Sequence, residues 1–256
     1  MAVNKNSEVK NKNKTKNKIN KSIVGLNKTN VTKKKGCVLV FCAHPDDEVI
    51  GVGGTLKKFA DEGVRTVVVI FTGGEKSNAL YKKERLIEIR HKETMAAAKV
   101  LKISEVINLG LNDMHLSKDV ELESNLKRIK DIILKEKPSK IFTHAIDDVL
   151  YQDHKAVHDS VFKIVKNLNK EHKVNKSEQK FSLYTFNVWT LNFRKRDTPK
   201  LVIDISNEFE FKLDALKKFK SQKLALIQLY PFIYGRAIFA GWKHDAKYVE
   251  EFYKVL

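Results

Sequence analysis

Long apolar runs are missing from this chain of 256 residues. No stretch approaches the about 18–20 residues that span a bilayer, and the N-terminus has no apolar leader segment. A membrane-spanning or secreted protein is therefore not expected, and the cytoplasm is the expected compartment. Cysteine is nearly absent as well. Cys37 and Cys42 are the only two, five apart in what reads as one strand, where an odd spacing points side chains to opposite faces. That excludes a disulfide scaffold and a cysteine zinc cluster. With only 4 Pro and 11 Gly against 42% hydrophobic residues, the composition is that of a folded globular chain.

Acidic residues are scarce in one place. Residues 1–35 hold 11 Lys against one Glu, so over half of the net charge of +18 lies there; the remainder has 38 basic and 30 acidic residues. This Lys/Asn-rich stretch has too little apolar surface to offset its ordering entropy, and it is expected to be a disordered tail. Two readings of it stand: a contact for polyanions such as RNA or an anionic lipid surface, and compositional drift in a chain rich in Lys, Asn and Ile. Residues 36–256 are expected to form a single domain.

From residue 37 onward, short β-branched runs alternate with amphipathic segments. Strands are expected at 37–43 (CVLVFCA), 65–72 (RTVVVIFT), 106–109, 140–144 (KIFTH), 181–190 and 201–205. Helices are expected at 49–62, 82–101, 121–136, 154–169, 208–229 and 246–255, with a loop at 170–180. The first two strands are apolar almost throughout, as in strands buried on both faces of a parallel sheet. Alternating strands and helices imply βαβ units, hence a three-layer α/β/α sandwich around a mostly parallel sheet.

In such sheets ligands bind beyond the carboxyl ends of the strands. The loop after the first strand reads His44-Pro45-Asp46-Asp47-Glu48. His44 and Asp47 are three apart across a Pro-fixed turn, and an imidazole nitrogen with a carboxylate oxygen suits Zn²⁺ or Fe²⁺. Asp46 projects differently and is available as a base. The bland reading is an Asx turn capping the next helix, with the histidine satisfied in the core. Four such residues directly after a buried strand favour the metal. A third ligand is then required, and His154, at the end of Asp147-Asp148-Val149-Leu150-Tyr151-Gln152-Asp153-His154, is the best candidate, with Asp153 as its orienting carboxylate. His154 and His158 share the spacing of HExxH, but Lys155 stands where that motif needs its base. His158 is therefore expected at the surface.

AHPDDE after the first strand, TGGE after the second, a helix with Arg90 and Glu93, and the Asp153-His154 pair closely resemble the PIG-L/LmbE-like zinc-dependent N-acetylglucosaminyl deacetylases. LVIDIS (201–206), Lys220-Ser221-Gln222 and YVEEF (248–252) extend the resemblance, which runs from residue 36 to the end. It implies a Rossmann-like fold; His44, Asp47 and His154 as metal ligands; Asp46 as general base, with Glu48 and Asp153 in support; and Arg90 on the substrate. The implied activity is hydrolytic removal of an acetyl group from an N-acetylglucosamine-containing small molecule or glycoconjugate, through metal-activated water. One position departs from the family's usual HxDH, with Tyr151 in place of the first histidine. A phenol donates a hydrogen bond to an oxyanion but shuttles protons poorly near neutrality. His144 is either its substitute or a strand-end histidine bonded to backbone.

Tyr184, Phe186, Trp189 and Phe193 could stack on a sugar but fit a core equally in type, and core is the expectation. The basic surplus suits a substrate bearing an acidic group. Two other functions compete. A nucleic-acid-binding or polyanion-binding protein would use the basic tail, yet the remainder carries no recognised nucleic-acid motif. A nucleotide-dependent oxidoreductase would need GxGxxG after the first strand, and Gly51-Val52-Gly53-Gly54 has the wrong spacing.

Overall fold

The computed structural model describes residues 36–78, 80–113, 115–148, 152–175, 180–190 and 200–256. The expected tail at 1–35 and Tyr151 lie outside the described residues. Among the described residues there are seven strands: β1 (Cys37–Cys42), β2 (Arg65–Thr72), β3 (Glu105–Leu111), β4 (Lys140–His144), β5 (Leu183–Phe186), β6 (Lys200–Asp204) and β7 (Val249–Lys254). They form one sheet in the order β3-β2-β1-β4-β5-β7-β6. β1 pairs in parallel with β2 and β4, β2 with β3, and β4 with β5, while β7 runs antiparallel between β5 and β6. The helices are α1 (Asp47–Asp61), α2 (Lys83–Leu101), α3 (Leu116–Asp119), α4 (Glu123–Glu136), α5 (Gln152–Asn175), α6 (Phe209–Leu216) and α7 (Lys223–Lys243).

The two-residue period of the strands divides the core into two layers. Val38, Val40 and Cys42 of β1 face α1, α2, α6 and α7, where Val49, Leu56, Leu101, Phe209 and Leu226 are buried. Leu39 and Phe41 face the other way, onto Leu116 of α3, Ile129 and Ile133 of α4, and Val157 and Val161 of α5. Helices on both faces of a mostly parallel sheet make the expected α/β/α sandwich. Cys37 and Cys42 fall in opposite layers and are both free. α1 approaches the sheet closely because it carries glycines: a Cβ at Gly54 would come within 2.6–2.9 Å of the Ile205 side chain.

Four expectations are corrected. The closing segment 246–255 is not a helix but contains β7. Its apolar residues at 249, 252 and 253 also satisfy helical spacing, and pairing to β5 on one side and β6 on the other decides the matter. The helix expected at 208–229 breaks at a 3₁₀ turn, Lys220–Gln222, and resumes as α7, which continues through Pro231 to Lys243. The proline ends nothing because Leu226, Leu229, Ile233 and Ala237 keep one face on the core across it. α5 runs to Asn175, into the expected loop. The first helix, expected from residue 49, starts two residues earlier, at Asp47, so that Asp47 and Glu48 lie in its first turn.

Because β1 is flanked by β2 on one side and β4 on the other, with successive crossovers going opposite ways, the order reverses between β1 and β4. The loops leaving these two strands therefore border a crevice at the carboxyl edge of the sheet. They carry His44 to Glu48 and Ala145 to Asp148 respectively.

Candidate metal centre and active site

The loop after β1 is clamped by its own acids. The His44 N–H donates to Asp47 Oδ2 at 2.8 Å, and the Asp46 N–H donates to Glu48 Oε2 at 3.0 Å. Asp46 sits at φ 94°, ψ −27°, in a region that non-glycine residues seldom adopt, and its carbonyl accepts the N–H groups of Val49 and Ile50 as α1 begins. Asp47 is thus the first residue of α1, and its carboxylate meets His44 and His154, whereas that of Asp46 meets Arg90.

His44, Asp47 and His154 each present a ligand atom within 4.8 Å of the others'. His154 Nε2 lies 3.6 Å from Asp47 Oδ1, and His44 Nδ1 lies 3.6 Å from Asp47 Oδ2. The far nitrogen of each ring faces a carboxylate: His154 Nδ1 is 3.0 Å from Asp148 Oδ2, and His44 Nε2 is 3.0 Å from Asp113 Oδ1 and 3.3 Å from Asp153 Oδ2. Two imidazoles turned by carboxylates toward a shared aspartate form a donor set that fits a divalent ion. Burial would lower the His44 imidazole, but its hydrogen bonds to Asp113, Asp153 and Asp47 hold it well above the ordinary range in the absence of an ion. Burial would raise the Asp47 carboxyl, but the charges of His154 and His144 hold it well below the ordinary carboxylate range. Burial together with the neighbouring His144 pushes His154 down, toward the neutral form that binds metal.

Asp46 is the odd carboxylate. Its Oδ2 accepts from Arg90 Nη2 at 2.8 Å, yet burial outweighs the guanidinium and, with Asp47 adding repulsion, raises its pKa to about 7. Glu48 is pushed up to about 8, first by burial and then by Asp46. Arg90 itself is buried; it also donates to Pro45 O and, at 3.4 Å, to Gly74 O. Gly74 of TGGE has φ +67°, and a Cβ there would collide with that guanidinium. Arg90 therefore ties the β1 and β2 loops together. It also lines a cavity of about 500 Å³ shared with His44, Asp46, Asp47, Asp113 and His154.

Sequence reasoning assigns two neighbours wrongly and misses two. The carboxylate on His154 is Asp148, not Asp153. Asp148 also accepts the N–H groups of Val188 at 2.9 Å and Trp189 at 3.0 Å, and its pKa is held low against burial, chiefly by the hydrogen bonds and charges of His144 and His154. Asp153 turns to His44 instead. His158 is buried, not superficial, and its Nδ1 lies 2.8 Å from the His144 carbonyl oxygen. Asp113 stands in no motif of its own; it receives the Lys76 N–H at 2.9 Å and offers its own N–H to Glu75 of TGGE. A signal does exist, since Asp113 follows β3 as His44 follows β1.

His144 meets both the backbone and the cluster, its Nε2 lying 3.3 Å from Asp47 Oδ2. Its Nε2 accepts the Ala43 N–H at 3.0 Å, and its ring stacks on His154 with centroids 3.9 Å apart. Tyr184, against Phe142, and Phe186 belong to the core, while Trp189 reaches the cavity; Phe193 is outside the described residues. Glu93 accepts from the Ser221 N–H and Oγ, and Gln222 donates to Ser77 Oγ, so the Lys220-Ser221-Gln222 segment fastens the 3₁₀ turn to α2 and the β2 loop.

Known proteins share sequence and fold with this chain. A probable N-acetyl-alpha-D-glucosaminyl L-malate deacetylase 2 of Bacillus cereus is 28% identical over 197 residues, 75% of this chain and 86% of its own length. The N,N'-diacetylchitobiose deacetylase of Pyrococcus horikoshii superposes with a TM-score of 0.72 at 23% identity, covering 99% of this chain and 94% of that one. The 4-carboxy-2-hydroxymuconate hydratase of Pseudomonas putida gives 0.71 at 19% identity, covering 86% and 96%. At those identities the two structures establish the fold, an α/β sandwich that serves more than one chemistry. The family description GlcNAc-PI de-N-acetylase, PIG-L, matches residues 39–165, from within β1 to within α5 and across every acid and histidine of the cluster: this chain carries a PIG-L family domain.

Proposed function

We propose that the protein is a metal-dependent hydrolase that removes the acetyl group from an N-acetylglucosamine-containing small molecule or glycoconjugate. The observation that carries this reading is the split between two adjacent carboxylates. Asp47 faces two carboxylate-oriented imidazoles, and Asp46, with a pKa of about 7, lines the same cavity paired with Arg90. His44, Asp47 and His154 would hold the ion, and Zn²⁺ or Fe²⁺ suits that donor set. When bound, the ion supplies Lewis acidity, lowering the pKa of water and polarising the acetamide carbonyl. Asp46 takes the proton of the attacking water, and Arg90 holds that carboxylate in place through Nη2. Asp148 keeps the proton of His154 on Nδ1 and leaves Nε2 toward Asp47; Asp113 and Asp153 do the corresponding service for His44. Arg90 acts here by positioning the base, a role distinct from the substrate contact that the resemblance implies.

The N-acetylglucosamine unit is supported by the names of the family and of the Bacillus and Pyrococcus proteins. An acidic group on the substrate would suit the basic surplus. The hydratase likeness sets the competing reading, addition of water to a carbon–carbon double bond. Incubation with N-acetylglucosaminyl L-malate, N,N'-diacetylchitobiose and 4-carboxy-2-hydroxymuconate separates the two. Acetate and free amine in equal amounts from a sugar are expected, and hydration of the muconate without acetate from either sugar would reject the proposal.

A further inference from the structure

Helix α7 is apolar on two opposite faces. Leu226, Leu229, Ile233, Ala237 and Ala240 are buried against the core. On the far side, Leu224, Ile227, Pro231, Ile238 and Trp242 recur in steps of three and four, with Gly235 filling the remaining step, and all are exposed. Leu224 is 81% and Trp242 79% accessible. A surface helix of a globular protein places polar residues there. Contrary to the expectation that no stretch is long enough, Lys220–Lys243 is long and apolar enough to cross a membrane by length and composition, with an 18-residue window of mean hydropathy 1.3, yet one third of that window is buried in the protein interior. That commitment fixes the helix along the molecular surface.

The charge around this face has one sign. Between Asp214 and Asp245 there is no acidic residue, whereas Lys217, Lys218, Lys220, Lys223, Arg236 and Lys243 lie in that interval. Lys218, Lys220 and Lys223 are exposed at one end, and Lys243, whose Nζ sits 4.2 Å over the Phe239 ring, at the other. We propose that the outer face of α7 docks on an anionic lipid bilayer, its apolar stripe entering the headgroup boundary and its terminal lysines meeting lipid charge. An apolar face ending in tryptophan and bracketed by lysines is the pattern of an interfacial helix. A second copy of this chain is the weaker occupant, because a two-fold contact would lay the same acid-free stretch against itself. The inner side of α7 contributes Ala225, Leu226 and Leu229 to the wall of the cavity, so docking would set that cavity one helix diameter from lipid.

The test is sedimentation of the full chain with phosphatidylcholine vesicles, with and without phosphatidylserine, beside the variant L224S/I238S/W242S. Both proteins keep the lysine-rich tail, so their difference reports the face alone. Binding to phosphatidylserine vesicles, weakened about 10-fold or more in the variant at unchanged melting temperature, is expected. A further readout covers loss of folding in the triple variant: brominated phosphatidylcholine mixed with phosphatidylserine should quench tryptophan emission of the unsubstituted chain, and W242F should remove that quenching. Equal vesicle affinity of the two proteins, quenching that survives W242F, or a lipid-free dimer that the triple variant dissociates would overturn the proposal.

Discussion

Asp46 holds a carboxylate at a backbone φ that costs conformational energy, beside an arginine that spends its donors on it and on two loop carbonyls. Strain and burial of this kind persist where the surrounding structure over-determines them. If Asp46 is the base, Asp46→Asn, nearly isosteric and chargeless, keeps the metal and loses about 10²- to 10⁴-fold in kcat with a smaller change in KM, which steady-state acetate release measures. Asp148→Asn leaves the cavity side chains in place but removes the charge that orients His154. Metal affinity should fall about 10- to 100-fold, read by competition with a chromophoric chelator. His44, Asp47 and His154 are legible in the sequence because crowded carboxylates directly after a buried strand are costly unless a cation offsets them. Asp148 and Asp113 are not, because their partners are set by where separate loops cross. Asp153 adjoins His154 in sequence, but successive helical residues point in different directions, so adjacency is the wrong guide.

At the scale of elements, α1 presents the site and is pinned from behind by β7. Glu250 of β7 accepts the N–H groups of Gly54 and Thr55 and pairs with Lys212 of α6 at 2.6 Å, both side chains being buried. Glu250→Gln strands the ammonium and should cost about 3 kcal/mol in urea unfolding, while adding Lys212→Met should return much of that loss. Gly54→Ala forces a methyl against Ile205 and should cost about 1–3 kcal/mol by the same measurement. The central strands are readable because burial on both faces leaves near-continuous apolar runs. β7 is misread for the complementary reason: its inward acid, Glu250, is satisfied only by groups far away in sequence, so no local pattern marks it as a strand.

For the molecule as a whole, a sheet whose order reverses between β1 and β4 brings two loops about a hundred residues apart to one crevice, and the family placement follows from the same segment. The fold admits hydratase as well as deacetylase likenesses, so the proposed activity is to be tested at the metal and the base rather than read from topology. The decisive measurement is metal content and acetate release followed together, on the same samples, through chelation and reloading. About one divalent ion per chain is expected, with acetate release from N-acetylglucosaminyl L-malate or N,N'-diacetylchitobiose abolished by the chelator and restored by one equivalent of Zn²⁺, and with neither recovered in His154→Ala. Acetate release that survives complete stripping, or stoichiometric metal in a chain lacking the His44, Asp47 and His154 side chains, would contradict the account.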